Sequence, residues 1–399
     1  MKKIAIFTNH YYPENFKINE LVEVFKEELD INLITQIPNY PLGSFYDGYS
    51  YRKNRTYESK NLNVHRLAVI PRKKNAMMLS LNYVSNATAM YLYGSFNREP
   101  VDHVYAYVTS PIFISWGALK LAKRNKVKST LYLLDLWPAS LIGALNIKNK
   151  WIIKWLNRIS INIYKAFDNI VVSSNDFIEE LVEFGIDESK ITYIPQHANE
   201  ILEEPIKIMP ATERLEIVFA GNVGQAQNLD ILVDAIEILK SESILDVHVT
   251  IVGDGRARKA IEDMIDKKDV REYFTFTGRV AGHEVKQHLE NKHFGYVSLV
   301  DISPINKTIP AKIQSYMGYG LPILSCAPGS VNTLIDQVAC GISCDEPSGM
   351  ELANLIKSAR NYSYADLSAM ANQGIQYSKD NFDIIEISKR FIEIMKEGN

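Results

Sequence analysis

Residues 217 to 235 read IVFAGNVGQAQNLDILVDA: four apolar-leaning positions, a turn bracketed by Gly221 and Gly224, and apolar residues at helical spacing from about Asn228. A short apolar run suits a strand buried on both faces, and the pattern behind it suits a helix packed on that strand. The unit recurs downstream. Val249 to Val252 leads into Gly253-Asp254-Gly255 and a helix containing Ile261 and Met264. Phe274 to Phe276 runs into Thr277-Gly278-Arg279, and Gly295 to Leu299 into a loop over Asp301 to Lys307. Strands alternating with helices predict a parallel, doubly wound α/β sheet, whose ligands gather at loops beyond the C-terminal strand ends.

Toward the N-terminus the rhythm repeats in a different sequence. Ile4 to Phe7, Ile31 to Thr35, His103 to Val108, Thr130 to Leu134 and Asn169 to Ser173 are apolar runs with helical patterns between several of them. Their C-terminal loops would present Asn9-His10-Tyr11, Thr109-Ser110 and Asp135-Leu136-Trp137-Pro138. Pro195 to Arg214 breaks the pattern with three prolines and Glu203-Glu204, as a linker does. The expected organisation is therefore a domain over 1–195, a linker over 196–214 and a domain over 215–380. A last helix over 381–399 is expected to pack back on the first domain. A chain of 399 residues suits two such domains, and no fixed-period repeat appears.

The net charge of −3 conceals an asymmetry. Up to Pro195 there are 24 basic and 18 acidic residues, and beyond it 20 and 29. Lys60 to Lys165 alone holds 16 basic residues against Glu99, Asp102 and Asp135. Such a block suits an anionic partner, or a solvated basic face. The N-terminus reads as a buried strand and not as a secretory signal. The charge-free run from Asn75 to Asn97 is too often interrupted by polar residues to span a membrane. Three cysteines without a second metal-ligand pair read as reduced thiols of a cytosolic protein.

The chemistry is anchored in residues 309 to 325, IPAKIQSYMGYGLPILS. Pro310 can open a helix, Lys312 lies in its first turn, and Gly320-Leu321-Pro322 ends it. A helix N-terminus carries about half a positive charge and the ammonium adds a whole one, so a phosphate there would meet both. The turns at Gly221-Asn222-Val223-Gly224-Gln225 and Gly253-Asp254-Gly255 would let backbone amides approach a diphosphate, although a tight strand-to-helix turn asks for glycine as well. No Asp-x-Asp pair occurs, so no metal clamp is expected and Lys312, Lys307, Arg256 and Arg279 must supply positive charge.

FAGNVGQAQNLDILVDA, VTIVGDGRARKAIE, FTFTGRV and IPAKIQSYMGYGLPILS, in this order and spacing, resemble the donor domain of family 4 glycosyltransferases. HYYPE and LDLWP resemble members of that family that build bacterial surface polysaccharides. The resemblance implies a GT-B fold, two Rossmann-like domains facing across a cleft, and retention of anomeric configuration without a metal or other cofactor. It implies that a UDP-sugar is held by Gly221 to Gln225, Gly253 to Gly255, Arg279, Val280, Lys307, Ile309, Lys312 and Ser315, with Lys312 also assisting the leaving group. The acceptor would meet Asn9, His10, Tyr11, Ser110 and Asp135. Asp135 would orient it, unless that carboxylate simply caps a helix after Pro138.

The chain also departs from the family pattern. Lys307 and Ser315 stand where two glutamates are common, and Asn222 and Gln227 stand where an arginine and a lysine are common. Lys307 would return positive charge near the diphosphate, and Ser315 would still bond a ribose hydroxyl. On the acceptor side, KNKWIIKWLNRISINIYK (148 to 165) sets Trp151, Ile152, Trp155 and Ile159 beside a basic rim. Met77, Leu81, Val84 and Tyr91 recur at helical spacing within 75 to 97. Each reads as an interfacial helix or as an ordinary core helix. With the basic block they favour a lipid-linked saccharide acceptor at the anionic cytoplasmic face of the cell membrane, and no nucleic-acid module appears. The resulting expectation is a transferase moving an N-acetylhexosamine or deoxy relative from UDP onto a lipid-linked glycan of capsule or O-antigen type. The rival readings are a sugar-nucleotide epimerase on the same fold and a non-catalytic partner subunit.

Overall fold

Two parallel sheets organise the chain, each in its own unit. The computed structural model describes every residue except 74, 139–141, 143–148, 209–213, 303–304 and 398–399. The first unit comprises Met1–Pro195 and Ile384–Asn399, and the second Gln196–Asp383.

In the first unit the strands are β1 (Lys3–Thr8), β2 (Asp30–Gln36), β3 (Thr56–Ser59), β4 (Leu62–Leu67), β5 (His103–Val108), β6 (Ser129–Leu133), β7 (Asn169–Val172) and β8 (Ile191–Tyr193). Their order is β3-β4-β2-β1-β5-β6-β7-β8, parallel throughout except for the antiparallel β3–β4 pair. The central strands β5 and β6 are buried on both faces, which is why they read as continuous apolar runs. The edge strand β3 is exposed along its length and polar, so no apolar pattern announces it. Order reverses between β1 and β5, and ligands of such sheets gather at the C-terminal strand ends there.

The last helix, Ile384–Lys396, belongs to this unit. Its Phe391 ring sits 4.8 Å from that of Tyr132, 5.7 Å from Tyr105 and 6.1 Å from Phe25. Each such buried ring or aliphatic side chain contributes roughly 1.5–3 kcal/mol of transfer free energy.

The second unit has β9 (Leu215–Ala220), β10 (Val247–Val252), β11 (Phe274–Gly278), β12 (Phe294–Ser298), β13 (Ile323–Cys326) and β14 (Gly341–Ser343), all parallel, in the order β11-β10-β9-β12-β13-β14. That is the dinucleotide-fold order third-second-first-fourth-fifth-sixth, with its switch point between β9 and β12. Residues 196–208, read from the sequence as linker, pack instead on this unit. Ala198, Leu202 and Ile206 donate their amides to Phe382, Gly318 and Tyr319, each at 2.9 Å. Ala198 and Ile206 are buried apolar residues, which gives the segment a reason to dock.

Candidate functional site

At the second unit's switch point, the helix Ala311–Tyr319 begins on Pro310 and ends on Gly320 in the left-handed region. Gly320 at φ 65° suits a C-terminal cap that a β-carbon would strain. Lys312 reaches from the first turn to the end of β9. Its Nζ lies 3.7 Å from the centre of the Phe219 ring and donates to Gln227 Oε1. It also lies beside Gly221, where an added β-carbon would come within 3.8 Å of it. The residue keeps partial exposure, but its ammonium is enclosed by protein, and that loss of water pulls its pKa well below the ordinary lysine value. Among the described residues no carboxylate pairs with it. A desolvated cation without a counterion, beside a helix N-terminus, is electrostatically incomplete until an anion arrives.

The rest of the turn differs from expectation. The amides of Gly221 and Val223 donate to Val252 and Asp254 carbonyls at 2.9 and 3.0 Å, and that of Gly224 to Asn222 at 2.9 Å. Gly253 donates in turn to Gly278 at 2.9 Å. A β-carbon on Gly253 would lie 1.9 Å from the Gly221 carbonyl oxygen, and one on Gly255 2.2 Å from that of Val223. The glycines therefore let three successive strand-end turns interlock. This corrects the expectation that the amides of Gly221, Val223 and Gly224 are available to a diphosphate. The amides of Asn222, Gln225 and Ala226 have no protein acceptor among the described residues, and neither do those of Ala311 and Lys312. Gly221, Asn222 and Gln225 are exposed.

The other residues expected on this side have local partners of their own. Asp254 accepts the Gly255 amide at 2.8 Å and lies 4.0 Å from Arg258. Ser315 donates to the Ala311 carbonyl at 3.2 Å, which leaves its oxygen free to accept. Lys307 ends the short helical turn Ile305–Lys307, Val280 and Ile309 pack against the core, and Arg279 is exposed. Tyr316 was missed from sequence. Its buried phenol accepts the Ala220 amide at 2.8 Å and its ring fills the space that Gly295 leaves, fixing the end of β9.

In the first unit, the switch point between β1 and β5 is polar and buried. Asn9 donates to Thr109 Oγ1 at 3.5 Å while its Oδ1 has no partner. Ser110 Oγ lies 3.3 Å from the Tyr83 hydroxyl. Arg72 lies between two rings, 5.2 Å from Tyr40 and 5.7 Å from Tyr83, with no carboxylate partner among the described residues. His10, 4% exposed, stacks on Phe16 at 4.2 Å and approaches Tyr40 at 5.4 Å. Its Nδ1 is bonded to Glu14 Oε2. Glu14 was not singled out from sequence, although the four-residue spacing in HYYPE carried the signal. Tyr11 does not join this cluster. It is buried on the other side and lines a groove of about 520 Å3 with Tyr12, Tyr49, Tyr57 and Arg66, and burial raises its pKa to about 12.

Asp135 follows β6, and desolvation raises its pKa to about 6. The helix it would cap after Pro138 falls largely outside the described residues. Among the described residues no cluster of acidic, histidine or cysteine side chains could hold a metal ion, and no helix is long and apolar enough to cross a membrane.

The family model described as Glycosyltransferase Family 4 matches residues 48–198, and that described as Glycosyl transferases group 1 matches 214–360. Among curated proteins the chain is 20% identical over 292 residues to a putative colanic acid biosynthesis glycosyl transferase, WcaI, of Escherichia coli, covering 67% of this chain and 70% of that protein. It is 24% identical over 279 residues to a probable glycosyltransferase, WbjE, of Pseudomonas aeruginosa, covering 65% and 66%. Its fold is similar to that of sucrose-phosphate synthase from Thermosynechococcus elongatus, with a TM-score of 0.76 at 14% identity over 100% and 99% of the two chains. It is also similar to HepE of Anabaena in complex with UDP and glucose, with a TM-score of 0.69 at 12% identity over 99% and 100%.

Proposed function

The chain belongs to the family 4 glycosyltransferases and has their GT-B fold, and from that premise we propose that it transfers a sugar, with retention, from UDP to a lipid-linked glycan of a bacterial surface polysaccharide. The donor is an N-acetylhexosamine or a deoxy relative. One observation carries the donor side: the enclosed, uncompensated ammonium of Lys312 beneath the Gly221 turn. When the glycosidic C–O bond to phosphate breaks, negative charge grows on the leaving diphosphate. Lys312 and the first-turn amides of its helix are already turned toward that charge and need no reorganisation. The complexes of HepE with UDP and with UDP-glucose support a uridine carrier.

The acceptor side is the first unit. Asn9, His10 and Ser110 supply hydrogen-bonding groups, Arg72, without a carboxylate partner among the described residues, supplies a cation for a phosphate-bearing acceptor, and burial raises the Asp135 pKa to about 6. Two helices support a membrane-bound acceptor. On Lys150–Ala166, Trp151 and Trp155 are 81% and 60% exposed beside Lys150, Lys154 and Arg158, while Leu156, Ile163 and Tyr164 face the core. On Ala76–Phe96 the residues that could have been core, Met77, Leu81, Val84 and Tyr91, point outward. Exposed tryptophans on a basic helix suit the anionic inner face of a membrane.

The test is Lys312→Ala. UDP-sugar turnover is expected to fall about 10²- to 10³-fold, as for loss of one transition-state charge contact, with the unfolding transition unshifted. Wild-type turnover in that variant removes Lys312 from the diphosphate site.

A further inference from the structure

Glu14 is 1% exposed and carries three hydrogen bonds. Its Oε1 accepts the Asn39 amide at 2.5 Å and the Tyr40 amide at 2.6 Å, and its Oε2 faces His10 Nδ1. Both amides donate only, so Oε1 is locked as their acceptor. Oε2 is then best satisfied by a proton on Nδ1, and in the neutral tautomer with that proton Nε2 is the unprotonated nitrogen. That nitrogen has no hydrogen-bond partner among the described residues and is not among the sealed polar atoms. The stacked Phe16 ring prevents the imidazole from turning away. A lone pair held in one direction, at the C-terminal strand ends of the first unit's switch point, is a receptor for a hydroxyl proton.

We infer that Glu14 is a positioning residue that fixes the tautomer of His10, so that His10 Nε2 accepts a hydrogen bond from the reacting hydroxyl of the saccharide acceptor. This rests on the first unit being the acceptor side. The bond orients a hydroxyl lone pair for attack, and as the new C–O bond forms and the sugar–phosphate bond breaks, the hydroxyl's proton passes to the departing diphosphate oxygen and not to His10. Tyr40 joins the two halves of the device, since its amide holds Glu14 while its ring lies between His10 and Arg72.

Glu14→Gln separates this role from packing. The two backbone amides still require an oxygen at Oε1, so the glutamine must turn its NH2 toward His10 Nδ1. Nδ1 then accepts, and the proton moves to Nε2. The shape is kept and the tautomer is reversed. Nitrogen-15 NMR of the His10 ring in the wild-type chain is expected to show a protonated Nδ1 and a bare Nε2, and in Glu14→Gln the reverse. Titrating the wild type with UDP and a short polyprenyl diphosphate N-acetylglucosamine is expected to shift the Nε2 resonance toward that of a hydrogen-bonded nitrogen. In Glu14→Gln, kcat/KM for that acceptor should fall about 10- to 100-fold at unchanged UDP affinity.

A protonated Nε2 in the wild type, or no Nε2 shift with the acceptor, overturns the inference without needing the variant to fold. Loss of thermal stability in Glu14→Gln with an unchanged tautomer overturns it too. Failure of the wild type to bind UDP by calorimetry strikes the function proposed above and leaves the tautomer result standing.

Discussion

Both units turn their strand order at the same point, between the first strand and the fourth of the doubly wound core, yet they furnish that point in opposite ways. The second unit presents bare backbone and one enclosed cation, Lys312. The first presents a network in which nearly every side chain is held by another: Glu14 by two amides, His10 by Glu14 and Phe16, and Arg72 by two tyrosines. An incomplete electrostatic site suits a ligand that brings its own charge, as a nucleoside diphosphate does. A pre-ordered polar site suits a neutral hydroxyl whose direction matters more than its attraction. On the proposed reading the same topology hosts diphosphate recognition in one unit and, in the other, orientation of an acceptor hydroxyl with Arg72 left for the acceptor's phosphate.

The contrast is most easily broken at the glycine turns. If Gly253 serves turn packing, Gly253→Ala should lower unfolding stability by about 3 kcal/mol or more, because the new methyl meets a backbone oxygen at a positive φ. Chemical denaturation of the variant tests this. A stable variant that has lost only UDP affinity would return the glycine to the ligand.

On the first unit, replacing Trp151 and Trp155 by serine should weaken binding to anionic vesicles about 10- to 100-fold, since each indole brings buried apolar area to the interface. Vesicle sedimentation reads this, and equal binding by wild type and double variant would leave the acceptor side without its membrane.

Asp135 gives a smaller, signed effect. Its native carboxyl holds its proton more tightly than the unfolded one, so stability should fall by roughly 1 to 3 kcal/mol as pH rises from about 4 to about 6 and level off above that. Asp135→Asn should remove this slope and be the more stable protein at pH 7. A slope surviving in the variant assigns it to another group. Smallest of all, a chelator should leave transfer unchanged, and activity lost to it and restored by magnesium would replace lysine electrostatics by a metal clamp.

Much of this was legible in the amino-acid order, and what escaped has physical reasons. Strands such as β5 and β9 are buried on both faces and announce themselves as apolar runs, whereas β3 is an exposed polar edge and β14 a three-residue one. The helix starting beside Lys312 followed from Pro310 and Gly320, and burial of its ammonium is a tertiary fact no spacing reveals. The glycines were visible but their task was not, because an amide's partner lies on another turn. Met77 and Val84 kept helical spacing yet face outward, since periodicity marks an apolar stripe without saying what covers it. Glu14 stood within a quoted motif, and only the fold brings the Asn39 and Tyr40 amides to it.

On the proposed reading Lys312 is a desolvated cation whose charge a diphosphate would complete. Calorimetric titration with UDP in two buffers of different ionisation enthalpy tests it most directly. Binding an anion should raise the depressed pKa again, so over the pH range in which the free lysine loses its proton UDP affinity should fall and binding should take up protons, while Lys312→Met should bind more weakly with neither effect. Equal heats in both buffers, with an affinity that Lys312→Met leaves unchanged, would contradict the account.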